Sequence, residues 1–421
     1  MLQSRVASCP ACERASTAGS LFNLQATLDK VDVMSTDSID RSVPSVSVVI
    51  PVYRDLQATQ ACLRSVIDSG LPDDTTITII DDMSPEEDVS EYCQEVAEEF
   101  GFKLLSNEEN LGFVRTANKG FTLCPDADII LLNSDTIVPH GWVQRLQACA
   151  YREPDVGTVT PFSNNGTICS YPIFPLPNEL PREWPTAELD RLFQSANAGL
   201  YAEIPTAVGF CMFIKRSCLN QTGPFDEEKF GQGYGEECDF SLRASALGWK
   251  HVIAADVFVY HEGGASFASE SSERKRKADK VMDELHPDYH KIVSEFLQAD
   301  PLYNFRMRVD AARIAEKTSD CSAILEEHFR YSQSILERVA ESQQAMVQEQ
   351  KQRLQLEELL DDCRSEFQET DRSLAETDSA LLEAQKMLLE SRKYANQLLD
   401  HIKDMEQSRS WRYTQWMRRN Q

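Results

Sequence analysis

The 421 residues predict an α/β domain followed by a helical segment and a long coiled coil. Three observations carry that reading. From Ser45 to Phe267, short apolar runs alternate with helical patterns, as in a sheet flanked by helices. From Ala268 to Lys317 the pattern is helical without strands. From Thr318 to Ser408 there is neither Gly nor Pro, and apolar residues recur every seven positions.

The elements follow in order. Met1 to Pro44 is polar, rich in Ser, Thr and Asp, and reads as a flexible tail. Val46-Ser-Val-Val-Ile50 is a nearly continuous apolar run suited to a buried parallel strand. A helix over Leu56–Ser69, a strand over Thr76–Ile80, a helix over Glu86–Phe100 and a strand over Phe102–Leu105 come next. A helix over Phe113–Thr122 leads to the strand Ile129-Ile-Leu-Leu132. This spacing implies right-handed crossovers with helices on both faces. In the C-terminal stretch Leu360, Phe367, Leu374, Leu381, Leu388, Ala395 and Ile402 form one heptad seam. Leu356, Cys363, Thr370, Thr377, Ala384, Ser391, Leu398 and Met405 form its complement. The Thr, Ser and Ala of the second seam leave the oligomeric state unspecified.

Composition excludes several function classes. Lys and Arg number 42 against 68 Asp and Glu, a formal net charge of −26. A surface this acidic opposes general nucleic-acid binding, which needs clustered cations to neutralise phosphate. No apolar run reaches the ~18–20 residues of a membrane span; the best candidate is Ile204–Ile214. Met1 to Ser20 has no continuous apolar segment and carries Arg5, Glu13 and Arg14, unlike a secretory signal. The expectation is a cytoplasmic protein whose twelve cysteines are reduced and mostly buried. Cys9-Pro-Ala-Cys12 lacks a second pair at zinc-site spacing, so a thiol pair is its default reading.

Ligands of open α/β sheets sit beyond the carboxyl ends of the strands. Three of the four strand ends carry polar clusters: Pro51-Val-Tyr-Arg54, Asp81-Asp82-Met-Ser84 and Asn133-Ser-Asp135. Two are acidic. Converging on one crevice, they suit a divalent cation and, through it, an anionic ligand such as a diphosphate.

At least six motifs now give a resemblance. Val48-Val-Ile-Pro-Val-Tyr53, Ile79-Ile-Asp-Asp-Met-Ser84, Asn110-Leu-Gly-Phe113 with Asn118-Lys-Gly120, and Leu131-Leu-Asn-Ser-Asp135 stand in the order seen in family 2 glycosyltransferases. Thr206-Ala-Val-Gly-Phe210, Gly235-Glu-Glu-Cys-Asp-Phe-Ser-Leu-Arg243 and His261-Glu-Gly-Gly264 complete the pattern. The chain most resembles the bacterial polysaccharide-building branch with rhamnosyl- and galactofuranosyl-type enzymes. The resemblance implies a GT-A fold (a Rossmann-like mixed sheet flanked by helices), a nucleotide-sugar donor, Mn²⁺ or Mg²⁺, and inversion at the anomeric carbon.

The same resemblance distributes roles. Asp82 corresponds to the carboxylate that accepts the imide N–H of uracil or thymine, which favours a UDP- or dTDP-sugar. Pro51, Val52 and Tyr53 line the nucleotide, with core packing the alternative for Tyr53, and Arg54 reaches phosphate. Arg115 stands between a phosphate contact and a solvated helix face. Asn133-Ser-Asp135 matches the D-x-D motif with Asn at its first place, where an amide oxygen can coordinate or reach ribose. Asp135 is then the main metal ligand, and His261 the second, its imidazole better matched to Mn²⁺ than to Mg²⁺. Gly263 and Gly264 would let the backbone approach a ligand. The second acidic place of Glu236-Glu237-Cys238-Asp239 is the family's base, which selects Glu237 and leaves Glu236 in reserve. Asp239 and Arg243 read as a surface ion pair, and Trp142 and Trp249 as core. Thr160–Tyr171 reads as a flexible loop over the donor or the start of an acceptor groove.

The acceptor implied is a glycan or lipid-linked precursor of a cell-surface polysaccharide. No Gln-x-x-Arg-Trp motif of processive synthases occurs, so the expectation is non-processive transfer. Arg409-Ser-Trp-Arg-Tyr-Thr-Gln-Trp-Met-Arg-Arg419 is basic and aromatic, suited to peripheral contact with the inner face of the plasma membrane, a partner enzyme, or solvent. The coiled coil implies self-association or partner binding. An alternative of another class is a catalytically weak or inactive GT-A domain on a coiled-coil scaffold for a glycan-assembly complex. The departures at Asn133 and at Glu237, where the family's base is usually Asp, sustain it.

Overall fold

A computed structural model describes residues 43–180, 184–231, 233–263, 268–317, 320–369 and 386–399. β1 (Val46–Val52), α1 (Leu56–Ile67), β2 (Thr76–Asp81), α2 (Glu87–Phe100), β3 (Lys103–Ser106), α3 (Phe113–Leu123) and β4 (Asp128–Leu132) follow in the order the apolar runs predict, with ends moved by one or two residues. Then come β5 (Thr136–Ile137), α4 (Trp142–Ala150), β6 (Val156–Phe162), a 3-10 turn over Thr167–Cys169, α5 (Thr186–Ala196), β7 (Tyr201–Ile204) and β8 (Cys211–Ile214). α6 (Arg216–Thr222), α7 (Glu227–Phe230), α8 (Glu236–Ala246), β9 (Lys250–Phe258) and β10 (Tyr260–His261) lead into α9 (Ala268–Leu285), α10 (Tyr289–Ala299), α11 (Tyr303–Glu316) and α12 (Asp320–Glu369).

The main sheet has the order β3-β2-β1-β4-β8-β6-β9-β7. β1 to β4 are parallel, but β8 runs antiparallel to both β4 and β6, so the sheet is mixed and flanked by helices. The period of two on β1 sorts its side chains between two cores. Val46, Val48, Ile50 and Val52 join Leu63, Val66 and Trp142, whereas Val49 joins Val114, Phe121 and Phe225. α3 crosses β1 so closely that a Cβ on Gly120 would lie 2.2 Å from a Val49 methyl. That explains the glycine in Asn118-Lys-Gly120. Asn118 meanwhile pairs with both backbone groups of Phe225, at 2.9 and 3.0 Å.

α11 and α12 join the domain through polar groups. Arg313 is fully buried and donates to Asp320 and Glu327 at the start of α12. Further along, Arg353 and Leu356 are half-buried, and in the 386–399 helix Leu388, Ser391, Ala395 and Leu398 alone are shielded. Seam positions 370–384, 402 and 405, the 1–42 tail with Cys9 and Cys12, and 409–421 lie outside the described residues, as do the side chains of Leu360, Cys363 and Phe367. Among the described residues no helix is long and apolar enough to cross a membrane. Cys62, Cys93, Cys149, Cys169, Cys211 and Cys218 are free and buried.

Candidate active site

The first strand end is a strained turn. Arg54 and Asp55 are successive left-handed residues, φ 64° and 55°. Ser84 Oγ accepts from the Arg54 N–H at 3.1 Å, and the Asp55 carboxylate caps α1 at Ala58. The Arg54 guanidinium lies 5.2 Å from the Tyr53 ring centroid and 4.0 Å from Glu86. Pro51 and Val52 are buried, and Tyr53 is half-buried.

At the second strand end both carboxylates are engaged. Asp81 accepts from the Ser84 N–H and the Ser90 hydroxyl. Asp82, 3% exposed, accepts from Asn107 Nδ2 at 2.7 Å and from the N–H groups of Leu111 and Gly112 at 2.8 Å. A carboxylate offers about four acceptor positions, so about one remains beyond these three. Asp82 thus clamps the loop that opens α3, and Asn107, held by Lys119 at 2.6 Å, extends the clamp. Arg115 is exposed on α3.

The third cluster is the centre. The Asn133 N–H donates to the Phe210 carbonyl at 2.9 Å, while its side-chain Oδ1 is buried without a hydrogen-bond partner. Two residues on, β5 and β10 form a two-stranded antiparallel ribbon that pairs Thr136 with His261. The ribbon sets His261 Nε2 3.4 Å from Asp135 Oδ1. His261 Nδ1 lies 2.7 Å from the Asn165 carbonyl, an acceptor, so Nδ1 carries a proton. Nε2 faces Asp135: with a second proton it donates to the carboxylate, and in the neutral ring it presents the lone pair of a metal ligand. Phe210 stacks on the imidazole at 5.1 Å and 16°. Asn164 grips the His261 backbone at both ends, accepting from its N–H at 2.8 Å and donating to its carbonyl at 2.9 Å.

Burial alone would raise the Asp135 carboxyl, but the His261 hydrogen bond and charge and the Gly263 N–H outweigh it and hold it below the usual range. Burial would lower the His261 imidazole, yet Asp135 and the Asn165 carbonyl raise it. Gly263 donates to Asp135 Oδ2 at 3.2 Å, and a Cβ there would strike Asn165 Nδ2 at 1.8 Å. The close approach expected of this glycine is therefore to Asn165; Gly264 lies outside the described residues.

α8 opens with Gly235, φ 90°, as N-cap, which puts Glu236 and Glu237 in the first turn. There the helix dipole favours anions. Glu236 is 5% exposed. Glu237 packs against Gly209, whose Cβ would stand 3.8 Å from its carboxyl carbon. The Oε2 atom of each glutamate has no hydrogen-bond partner. Burial pushes both carboxyls up, and repulsion from Glu237 pushes Glu236 further. Behind them, Ser241 Oγ donates to the Glu237 carbonyl at 2.6 Å and accepts from the Ala207 N–H at 3.0 Å.

Asp239 pairs with Arg243 at 2.8 Å and contacts His286 at 2.9 Å, a structural ion pair. Trp142 is core, whereas Trp249 is half-buried and donates to Gln221. Thr160–Tyr171 differs most from expectation. Ser163, Asn164, Ile168, Cys169, Ser170 and Tyr171 are buried, so this segment is a packed brace behind His261 instead of a flexible cover. Asn164, Asn165 and Phe210 are the site residues that role-by-role reading missed. Asn164 and Asn165 stand in an Asn-Asn-Gly turn, whose signal is shared with ordinary turns.

The run of strand-end motifs through Asp135 to Phe210 belongs to a known pattern. Residues 47–223 match the model of glycosyl transferase family 2. The matched family 2 region is somewhat under half of the chain. The chain is 30% identical over 130 residues to an uncharacterized protein, MT1568, of Mycobacterium tuberculosis, spanning 38% of that protein and 30% of this chain. It is 20% identical over 221 residues to glycosyltransferase AglE of Haloferax volcanii, covering 52% of this chain and 67% of AglE. Among solved structures, GalNAc-T7 with UDP, GalNAc and Mn²⁺ aligns at TM-score 0.46 and 18% identity, over 68% of this chain and 58% of that one. Mannosyltransferase PcManGT from Pyrobaculum calidifontis, in complex with GDP-Man and Mn²⁺, aligns at 0.43 and 15%, over 69% and 81%.

Proposed function

We propose that this chain transfers a sugar from a UDP- or dTDP-sugar to a hydroxyl of a glycan or lipid-linked acceptor, with inversion and without processivity. The observation that supports it best is the Asp135–His261 pair, with Asn133 two residues earlier in the chain carrying a buried Oδ1 that has no hydrogen-bond partner. The donor set fits a divalent cation. A carboxylate, an imidazole with its lone pair forward and a buried amide oxygen in need of a partner suit Mn²⁺. Among the described residues no group of three or more His, Cys, Asp or Glu gathers to hold a metal. Asp135 and His261 would hold the cation and leave further positions for a diphosphate. When bound, the cation would offset the charge growing on the leaving diphosphate.

The remaining steps belong to the protein. Tyr53 and Arg54 border the nucleotide, and the fourth acceptor position of Asp82 takes the base imide. Glu237 accepts the proton of the attacking hydroxyl through its unpartnered Oε2 as that oxygen displaces the diphosphate at the anomeric carbon. Glu236, more deeply buried and pushed up further by Glu237, leaves the base role to Glu237. The setting is synthesis of a cell-surface polysaccharide in the cytoplasm, as in the rhamnosyl- and galactofuranosyl-type branch. The heptad helix provides self-association or partner binding, and the basic C-terminus a peripheral membrane contact.

The test is thermal stabilisation by UDP, dTDP, GDP and CDP, with and without Mn²⁺, in the wild type and Asp135→Ala. Ligand at 100 times its dissociation constant adds about 2.7 kcal/mol. A UDP or dTDP shift that needs Mn²⁺ and disappears in the variant supports the reading. No shift with any nucleotide overturns it in favour of a coiled-coil scaffold.

A further inference from the structure

The His261 brace continues, by an unbroken set of contacts, into the C-terminal helices. His261 is held by Asn164 and Asn165. These two residues open a closed loop: the Tyr171 N–H donates to the Ser163 carbonyl at 2.8 Å, and the Ser163 N–H donates to the Cys169 carbonyl at 3.1 Å. At the closing end the Tyr171 side chain is fully buried, and its hydroxyl donates to Asp310 Oδ1 at 2.7 Å while accepting from Arg313 at 2.9 Å. Arg313 in turn donates to Glu327 at 2.8 and 3.2 Å and to Asp320 at 3.0 Å. Asp310 and Arg313 lie on α11, Asp320 and Glu327 on α12.

Such a cluster is a costly way to join two elements. Apolar residues of the same size hold a packed interface as firmly as a buried ion pair does. What the cluster adds is direction. The Arg313 fork donates to the Tyr171 hydroxyl and the α12 carboxylates only in a fixed mutual orientation.

We infer that Tyr171, fixed by Asp310 and Arg313, is a positioning residue for His261, so that the root of the C-terminal helical stem forms part of the proposed metal site. The inference rests on the metal reading of Asp135 and His261 for its consequence, but the coupling to the His261 ring stands on the contacts alone. Loss of the Tyr171 hydroxyl frees the closing end of the loop and lets Asn164 and Asn165 shift with it. The imidazole then turns on its support.

The experiment uses the full chain as wild type, Tyr171→Phe and Arg313→Lys. Tyr171→Phe keeps the ring in the core and removes one oxygen; Arg313→Lys keeps the charge and loses the fork. Two quantities are read: Mn²⁺ affinity by electron paramagnetic resonance, and the ring ¹⁵N resonances of His261, assigned with His261→Gln. Supporting ligands behind a metal-bound histidine are worth about 10–100-fold in affinity, and a ring two contacts removed should lose about 10-fold. The expected result is that loss, with displaced or doubled His261 resonances, in folded variants. Unchanged Mn²⁺ affinity and unchanged His261 resonances, with only a lower unfolding midpoint, overturn the proposal and make the cluster purely structural. If the wild type takes up no Mn²⁺, the metal reading falls separately. The His261 resonances then decide the coupling: a shift in Tyr171→Phe supports it, and no shift refutes it.

Discussion

His251 makes the stability of the domain depend on pH in a calculable way. It is 2% exposed on β9, with Nδ1 2.7 Å from Thr158 Oγ1 and Nε2 2.8 Å from the Ser241 carbonyl. The carbonyl must accept, so Nε2 carries the proton and the threonine hydroxyl donates to Nδ1. A second proton would replace an accepting nitrogen with a donor and put a charge in the core. Burial accordingly pushes the ring from 6.5 down to about 4, against a smaller upward pull from the Ser241 carbonyl. A depressed folded pKa means that the unfolded chain binds the proton first. The stabilisation is full above the unfolded value and is lost as pH falls from about 6.5 to 4. Those two values give a loss of about 2 kcal/mol between pH 7 and 5, and about 3 kcal/mol by pH 4. The assay is urea unfolding of wild type and His251→Gln at pH 7, 6 and 5. The variant starts less stable, but the gap should close by about 2 kcal/mol as other groups cancel in the difference. Parallel pH dependences for the two proteins would refute the argument.

Two further outcomes follow from the packing and the site. Gly120→Ala sets a methyl against Val49 with 2.2 Å between carbons and should cost about 1–3 kcal/mol in chemical unfolding; an unchanged midpoint would mean that α3 can lift off β1 freely. Glu237→Gln should lower kcat by about 10²–10⁴-fold with nucleotide affinity unchanged, while Glu236→Gln retains most activity; the reverse order would exchange the two roles.

Legibility in the sequence followed burial pattern. β1, β2 and β4 are buried runs of Val and Ile, and their helices have clear amphipathic periods, so both appear from composition alone. β8 is four residues of Cys, Met, Phe and Ile whose antiparallel direction has no local signal. The β5–β10 ribbon is shorter still, at two residues a strand, and only pairing across the chain defines it. Asp135 and His261 were found by motif, but their juxtaposition depends on that ribbon. Asp82 shows the opposite limit. The base-recognition role expected of it rests on resemblance, whereas its three hydrogen bonds to Asn107, Leu111 and Gly112 follow from a loop conformation that no periodicity encodes.

The ribbon also fixes when the site can exist during synthesis. Just beyond its ends, Asp135 and Gly263 meet across 128 residues of chain, so at roughly 5–20 residues per second the acidic half waits about 6–25 s for its partner strand. The strands that carry Asp82, Asn133 and Asp135 can pair long before then. A nascent chain on the ribosome is thus unable to assemble the two-sided centre until β10 emerges, and Arg313 emerges later still. The same order predicts that a ribosome stalled before His261 displays a folded half-sheet with nothing to close over its acidic edge.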